Sequence, residues 1–265
     1  IRNTNTRSAD YKELVDQPRP SHADYSADVR YGGAQDVRGG GHFSGRLTAA
    51  LCVAGSLGMA AASEVACDSV YCFTAEKFAT EKTPLSGGER DTPFDPVAVT
   101  AADFPKGVFA VRDAAAEERM LRIIEAARAD GDSVGGIIEC AVTGLPAGIG
   151  DPMFDGLENR LSQVVFAIPA VRGIEFGNGF EAAVLRGSQN NDRYYEDNGA
   201  VKTYTNNHGG VLGGISTGMP LLFRAAIKPT PSIAKEQQTL NRRTGQVEPL
   251  VIRGRHDPCI VPRAV

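Results

Sequence analysis

No run of 18 apolar residues occurs in this chain, so the sequence predicts no membrane-spanning helix. The nearest stretch, Leu47 to Ala62, is interrupted by Thr48 and Ser56. No signal peptide is visible. Five cysteines (Cys52, Cys67, Cys72, Cys140 and Cys259) include no CxxC pair, which argues against a zinc knuckle and for reduced thiols in a cytoplasmic protein. No HxxxH or HExxH spacing exists, so no metal site is expected. Positive charge is not in excess: the formal net charge is −4, which discounts a general nucleic-acid binder. Tryptophan is absent, which excludes nothing, and the chain starts at Ile1 without a methionine, as a fragment would.

What is present fits a globular protein. The 265 residues are 42% hydrophobic and 23% charged, enough for one sizeable core. Residues 1–45 are polar, glycine-rich and arginine-rich. Arg46 to about Ala62 reads as a buried helix, and "KTPLSGGERDTPFDP" reads as a loop. Asp113 to Asp130 predicts a helix with Met120, Ile124 and Ala127 on one face and Gly131 as its stop. "DPMFDGLENRLSQVVFAIP" predicts a second, with Asp151 as cap, Pro152 in the first position, Pro169 as stop, and Leu157, Leu161, Val164 and Ile168 as its apolar stripe. Strands are expected at Val134–Gly144, 171–176, near Ala200–Thr205 and at Leu221–Lys228. Helices and strands do not alternate strictly, which favours an α+β fold with antiparallel sheet.

Several stretches carry candidate chemistry. The four histidines (His22, His42, His208 and His256) all lie in polar, loop-like surroundings, where an imidazole can serve as an acid or base near neutrality. "RGGGHFSGRLTAA" contains G-x-x-x-x-G from Gly40, but Arg46 and Leu47 stand where a nucleotide-binding loop needs lysine and a hydroxyl. "FGNGFEA" matches the dinucleotide glycine pattern without a following helix, and a turn leading to another strand is expected there. "IKPTPS" sets Lys228 before a proline-stiffened turn with Thr230 and Ser232, and "RGRHDP" gathers two guanidiniums, an imidazole and a carboxylate. Either could be an ordinary strand-ending turn or a surface charge cluster. Pooled, they suggest one anionic ligand held by Arg, Lys, Ser, Thr and glycine backbone.

The motifs "RPSHADY", "YGGAQDVRGGGHFSGR", "GDSVGGIIECAVTGLPAGIG", "TNNHGGVLGGISTGMP", "KPTPSIA" and "GRHDPCIVPRAV", in this order, resemble the chorismate synthase family. The resemblance covers residues 1–60 and 91–265, and residues 61–90 depart from it. It implies a single domain over 1–265, incomplete at both ends. The Gly-Glu-Ser-His-Gly segment that usually precedes "IRNTNTRS", with its own catalytic histidine, is not in the sequence.

The resemblance also implies a fold and a reaction. The fold would be a β-α-β sandwich, with helices packed between antiparallel sheets, assembled as a homotetramer in the cytoplasm. The reaction would be the 1,4-anti elimination of phosphate from 5-enolpyruvylshikimate 3-phosphate to give chorismate, on the shikimate route to aromatic amino acids. It would use reduced FMN, with NADPH as a source of reducing equivalents. By motif, His22 and Asp257 correspond to catalytic positions, and Arg19, Arg46 and Arg255 to substrate anchors. FMN contacts correspond to His42, Phe43, Ser44, Gly213, Lys228, Pro229, Thr230, Pro231, Ser232 and Arg255. An inactive FMN- or phosphate-binding remnant is the alternative, and a P-loop hydrolase built on Gly40–Leu47 a remote third.

Overall fold

A computed structural model of the chain describes residues 13–36, 38–48, 69–75, 114–254 and 256–261. Its longer strands are β1 (Ser69–Ala75), β2 (Gly136–Thr143) and β3 (Val171–Phe176). Short strands β4 (Tyr194–Asp197), β5 (Ala200–Thr203), β6 (Val211–Leu212) and β7 (Ile215–Ser216) follow, then β8 (Leu221–Ile227), β9 (Gln237–Asn241) and β10 (Gln246–Leu250). The helices are α1 (Asp24–Tyr31), α2 (Ala114–Ala129), α3 (Leu157–Phe166) and the single turn α4 (Gly187–Asn190).

A four-stranded antiparallel sheet in the order β1-β2-β8-β3 forms the centre, and the remaining strands pair as three hairpins. The α+β expectation therefore holds. Strands β2 and β8, "GIIECAVT" and "LLFRAAI", are apolar along most of their length, as interior strands must be. Directly opposed residues of antiparallel strands share a face. Ile138, Ala225 and Ile174 thus form one row, and they join Val165, Val171, Ile227 and Val261 in the main core. The next row, Glu139, Arg224 and Glu175, lies on the opposite face and carries charge, with Arg224 Nη2 3.0 Å from Glu175 Oε1.

Several expectations hold and others shift. Helix α2 buries Met120, with Leu121 and Ile124 packed on it, and Gly131 takes the left-handed conformation after its end. Asp113 lies outside the described residues, as do residues 49–68 and the rest of 76–113, including the loop "KTPLSGGERDTPFDP". Helix α3 begins at Leu157, not after Asp151, and Asp151 does not cap it. Pro152 instead opens the short turn Met153–Asp155, where the left-handed φ of Met153 (61°) stops helix propagation. Its buried side chain is Val165, while Val164 faces solvent. Gly45–Leu47 is a 3-10 turn and Thr48 is already helical, so the helix expected from Arg46 does not begin before Thr48, and the rest of its span to Ala62 lies outside the described residues. "FGNGFEA" leads into the 3-10 turn Gly179–Val184 and then α4 before the next strand arrives. The β4–β5 hairpin turns at Asn198 and Gly199, whose φ values of 52° and 84° are those of a tight two-residue turn.

Candidate functional site

Arg19 lies between two prolines, and the following Pro20 keeps it out of the helical region. Ser21 then adopts a left-handed φ of 58°, and the His22 N–H donates to Arg19 O at 3.2 Å, closing a turn. Helix α1 starts two residues after His22, which places the Asp24 carboxylate at the turn's centre. Asp24 Oδ2 accepts from the Arg19 backbone N–H (3.0 Å) and Nε (2.7 Å). Its Oδ1 accepts from Arg19 Nη2 at 2.8 Å and pairs with His22 Nδ1 at 2.7 Å. Arg19 and Asp24 are each only 5% exposed. Burial works against the Asp24 charge, but hydrogen bonds from Arg19 and His22 and their charges outweigh it. Its pKa therefore lies well below the usual carboxylate range.

The second wall comes from the far end of the chain. After β8, the Lys228 N–H donates to Ala170 O at 3.0 Å, and the Lys228 ammonium donates to Ser21 O, tying the strand end to the histidine's turn. Burial and the charge of Arg172 hold the Lys228 pKa below its ordinary value. Pro229 and Pro231 stiffen the loop, and Ser133 Oγ donates to Thr230 O at 2.7 Å. Arg19 Nη1 reaches Ser232 Oγ at 3.2 Å. Thr230 Oγ1 is buried with no hydrogen-bond partner. Gly135 lets the approach to β2 lie against this loop: a Cβ there would sit 2.3 Å from Ile227 O and 3.0 Å from Pro229 N. A buried hydroxyl awaiting a partner, beside a lysine and a close-packed backbone turn, is a donor set suited to an anion.

The remaining motif residues divide. His42, Phe43 and Ser44 precede Gly45, where a Cβ would meet Ile260 at 2.8 Å. Ile260 and Val261 pack at the main core, and Val261 covers Gly136, so this loop reaches the core through Ile260. The Val134 N–H donates to Pro258 O at 2.8 Å, and Val134 bridges Cys259 in parallel. Asp257 is half-buried on that segment, and His256 Nε2 bonds Ile252 O at 2.8 Å. Arg255 lies outside the described residues, and Arg46 is described for its backbone alone. Gly213 sits in the β6–β7 turn, whose next residue, Gly214, packs on Asp151 and Gly156, and no described contact joins it to the Arg19–Lys228 cluster.

Three residues that the sequence did not single out help to organise these loops. Asp24 stands two positions after His22, a local pairing signal that is easily read as a helix cap. Arg172 acts on Lys228 through its charge. Asp192 accepts from Thr205 Oγ1 (2.6 Å) and the N–H groups of Asn207 (2.9 Å) and His208 (3.1 Å), fixing the "TNNHGG" loop. Among the described residues, no group of three His, Cys, Asp or Glu is placed to hold a metal ion, and no helix is long and apolar enough to cross a membrane.

A family model for chorismate synthase matches residues 1–265, including the stretch 61–90 in which the sequence alone showed no likeness. The chorismate synthase of Dehalococcoides mccartyi is 46% identical over 266 residues, covering 100% of this chain and 70% of that protein. Those of Korarchaeum cryptofilum and Pyrococcus abyssi are 43% and 42% identical, covering 100% and 99% of this chain and 70% of each relative. A crystal structure of chorismate synthase matches with a TM-score of 0.53 at 25% identity. That match covers 62% of this chain and half of the solved one, 50%. Nothing in these likenesses favours an inactive remnant. The chain belongs to the chorismate synthase family of carbon–oxygen lyases acting on phosphates.

Proposed function

We propose that this chain converts 5-enolpyruvylshikimate 3-phosphate to chorismate and phosphate, with its reacting centre at the Arg19, His22, Lys228 and Ser232 cluster. One observation carries the placement: a histidine's turn and a lysine loop about two hundred residues away in sequence meet through Lys228 to Ser21 and Arg19 to Ser232.

The chain's own groups account for the demands of the reaction. The departing phosphate gathers charge, and Lys228, Arg19, Arg46 and Arg255 are the cations that would bind it and the substrate carboxylates. His22 is the proton donor, since an imidazole exchanges a proton near neutrality. Asp257 would assist proton removal. Reduced FMN, when bound, supplies the electron-rich partner that loss of phosphate and hydrogen from a ring requires. Lys228, Pro229, Thr230, Pro231 and Ser232, with His42, Phe43, Ser44, Gly213 and Arg255, would hold it. The unpartnered Thr230 hydroxyl, the Lys228 ammonium and the Gly135 contact support a phosphate-bearing group in this loop.

NADPH as reductant, an assembly of four chains and a cytoplasmic location complete the reading. Exposed Phe154, Phe180 and Val184 offer apolar surface for self-association. The test is anaerobic incubation with reduced FMN and enolpyruvylshikimate phosphate, following chorismate and released phosphate. Both should appear together, and His22→Ala should abolish turnover with FMN affinity little changed. FMN binding without any chorismate would establish the inactive alternative.

A further inference from the structure

The carboxylate of Asp24 touches the histidine that the reaction is read to use, yet the motif likeness gives it no role. We propose that Asp24 is a positioning residue that fixes the His22 ring as its Nδ1–H tautomer, leaving Nε2 as the atom that meets the reacting molecule. The proposal rests on the reading above that His22 acts in the reaction.

Two groups approach His22 Nδ1 with opposite requirements. Arg19 Nη2, at 3.2 Å, can only donate and would need a bare nitrogen. Asp24 Oδ1, at 2.7 Å, belongs to an ionised carboxylate that only accepts and needs Nδ1 to carry a proton. The shorter distance is that of a charge-assisted bond. Arg19 Nη2 is moreover already committed to Asp24 Oδ1 at 2.8 Å. Asp24 therefore decides the proton's position, and the Arg19–His22 approach is two donors sharing one acceptor.

Asp24 is itself unable to turn. It receives four hydrogen-bond donors, three from Arg19 and one from His22, and is buried. Lys228, through Ser21 O, holds the left-handed residue just before the histidine. Among the described residues, Arg19 and Asp24 reach the ring from its own segment, and Lys228 comes from the loop after β8 to the neighbouring Ser21 O. With Nδ1 occupied, the neutral ring has its lone pair on Nε2, and the protonated ring donates from Nε2. The same nitrogen would serve for release and recovery of the proton.

Nitrogen-15 NMR of the histidine-labelled full chain, without flavin, reads the tautomer directly. The neutral His22 ring should carry its proton on Nδ1. In Asp24→Asn, which offers one acceptor oxygen to four donors, the ring should redistribute towards Nε2–H. Turnover of the flavin-loaded variant should fall by about tenfold or more in kcat, with KM within about twofold. If Asp24→Asn fails to fold, the wild-type tautomer alone decides. A wild-type ring protonated on Nε2, or a folded Asp24→Asn protein with unchanged kcat, overturns the proposal. Wild-type turnover in His22→Ala overturns it differently, by removing the reading on which it rests while the Nδ1–H signal persists.

Discussion

Arg19 and Asp24 meet edge to edge, Nε to Oδ2 at 2.7 Å and Nη2 to Oδ1 at 2.8 Å, as a buried two-pronged ion pair. Removing one member of such a pair strands the other charge away from water. Arg19→Met is expected to cost about 3–5 kcal/mol in denaturant unfolding. The pair also sets an acid limit. The folded Asp24 pKa is depressed, so its stabilisation is complete above the unfolded value of about 3.9 and is lost as pH falls below it. Arg19→Met should flatten the decline in stability between about pH 5 and about pH 2. A variant with the wild-type acid slope would show that the pair does not govern it.

Lys228 leads to an alkaline prediction. Its folded pKa lies below the ordinary 10.5 through burial and the charge of Arg172, so it loses its proton earlier than an exposed lysine. FMN affinity, followed by flavin fluorescence, should therefore weaken on the alkaline side before pH reaches the ordinary lysine value of 10.5. Lys228→Arg stays charged over that range and should remove most of the decline. Parallel curves for the two proteins would take Lys228 out of the anion contact.

Gly135 tests the loop's foundation. A methyl group there would meet the backbone of Ile227 and Pro229, which has little room to move. Gly135→Ala should destabilise by about 1–3 kcal/mol and weaken FMN binding as well, because the clash falls at the Lys228 turn. Thermal unfolding and the same fluorescence titration measure both. A loss of stability with unaltered flavin affinity would separate this glycine from the site.

The glycine loop is the subject of a negative prediction. Arg46 and Leu47 replace the lysine and hydroxyl that a nucleotide-hydrolysing loop uses, and Gly45–Leu47 forms only a 3-10 turn. Calorimetric titration with ATP and Mg²⁺ should release no heat. Tight binding would reopen the P-loop reading.

Legibility from sequence followed how local each signal was. Helix α2 and strand β3 were readable because their periodic apolar positions and end signals lie within the element. The Asp151-Pro152 start signal was real chemistry read onto the wrong element, since Met153 breaks the chain's path before α3. The β9–β10 hairpin went unread, because its strands, "QQTLN" and "QVEPL", are mostly polar and are organised by partners elsewhere. In the site, Lys228 to Ser232 was visible as a stiff, anion-suited turn. Arg19 to Ser232 spans 213 residues and leaves no local mark, and Asp24 resembles any acidic residue at a helix start.

The segment that leads into the histidine's turn is anchored by residues that come late in the chain. The Arg242 N–H donates to Asp16 O at 2.9 Å, Thr239 Oγ1 donates to Pro18 O, and Leu14 packs with Leu250 and Ile252. Closing loops of that length is slow, and each closure waits on the other end of the chain. During synthesis, residues 14–18 emerge before these anchors and gain them only once the β9–β10 hairpin has left the ribosome. The order of translation therefore leaves the approach to this turn unanchored until the scaffold that holds it is complete.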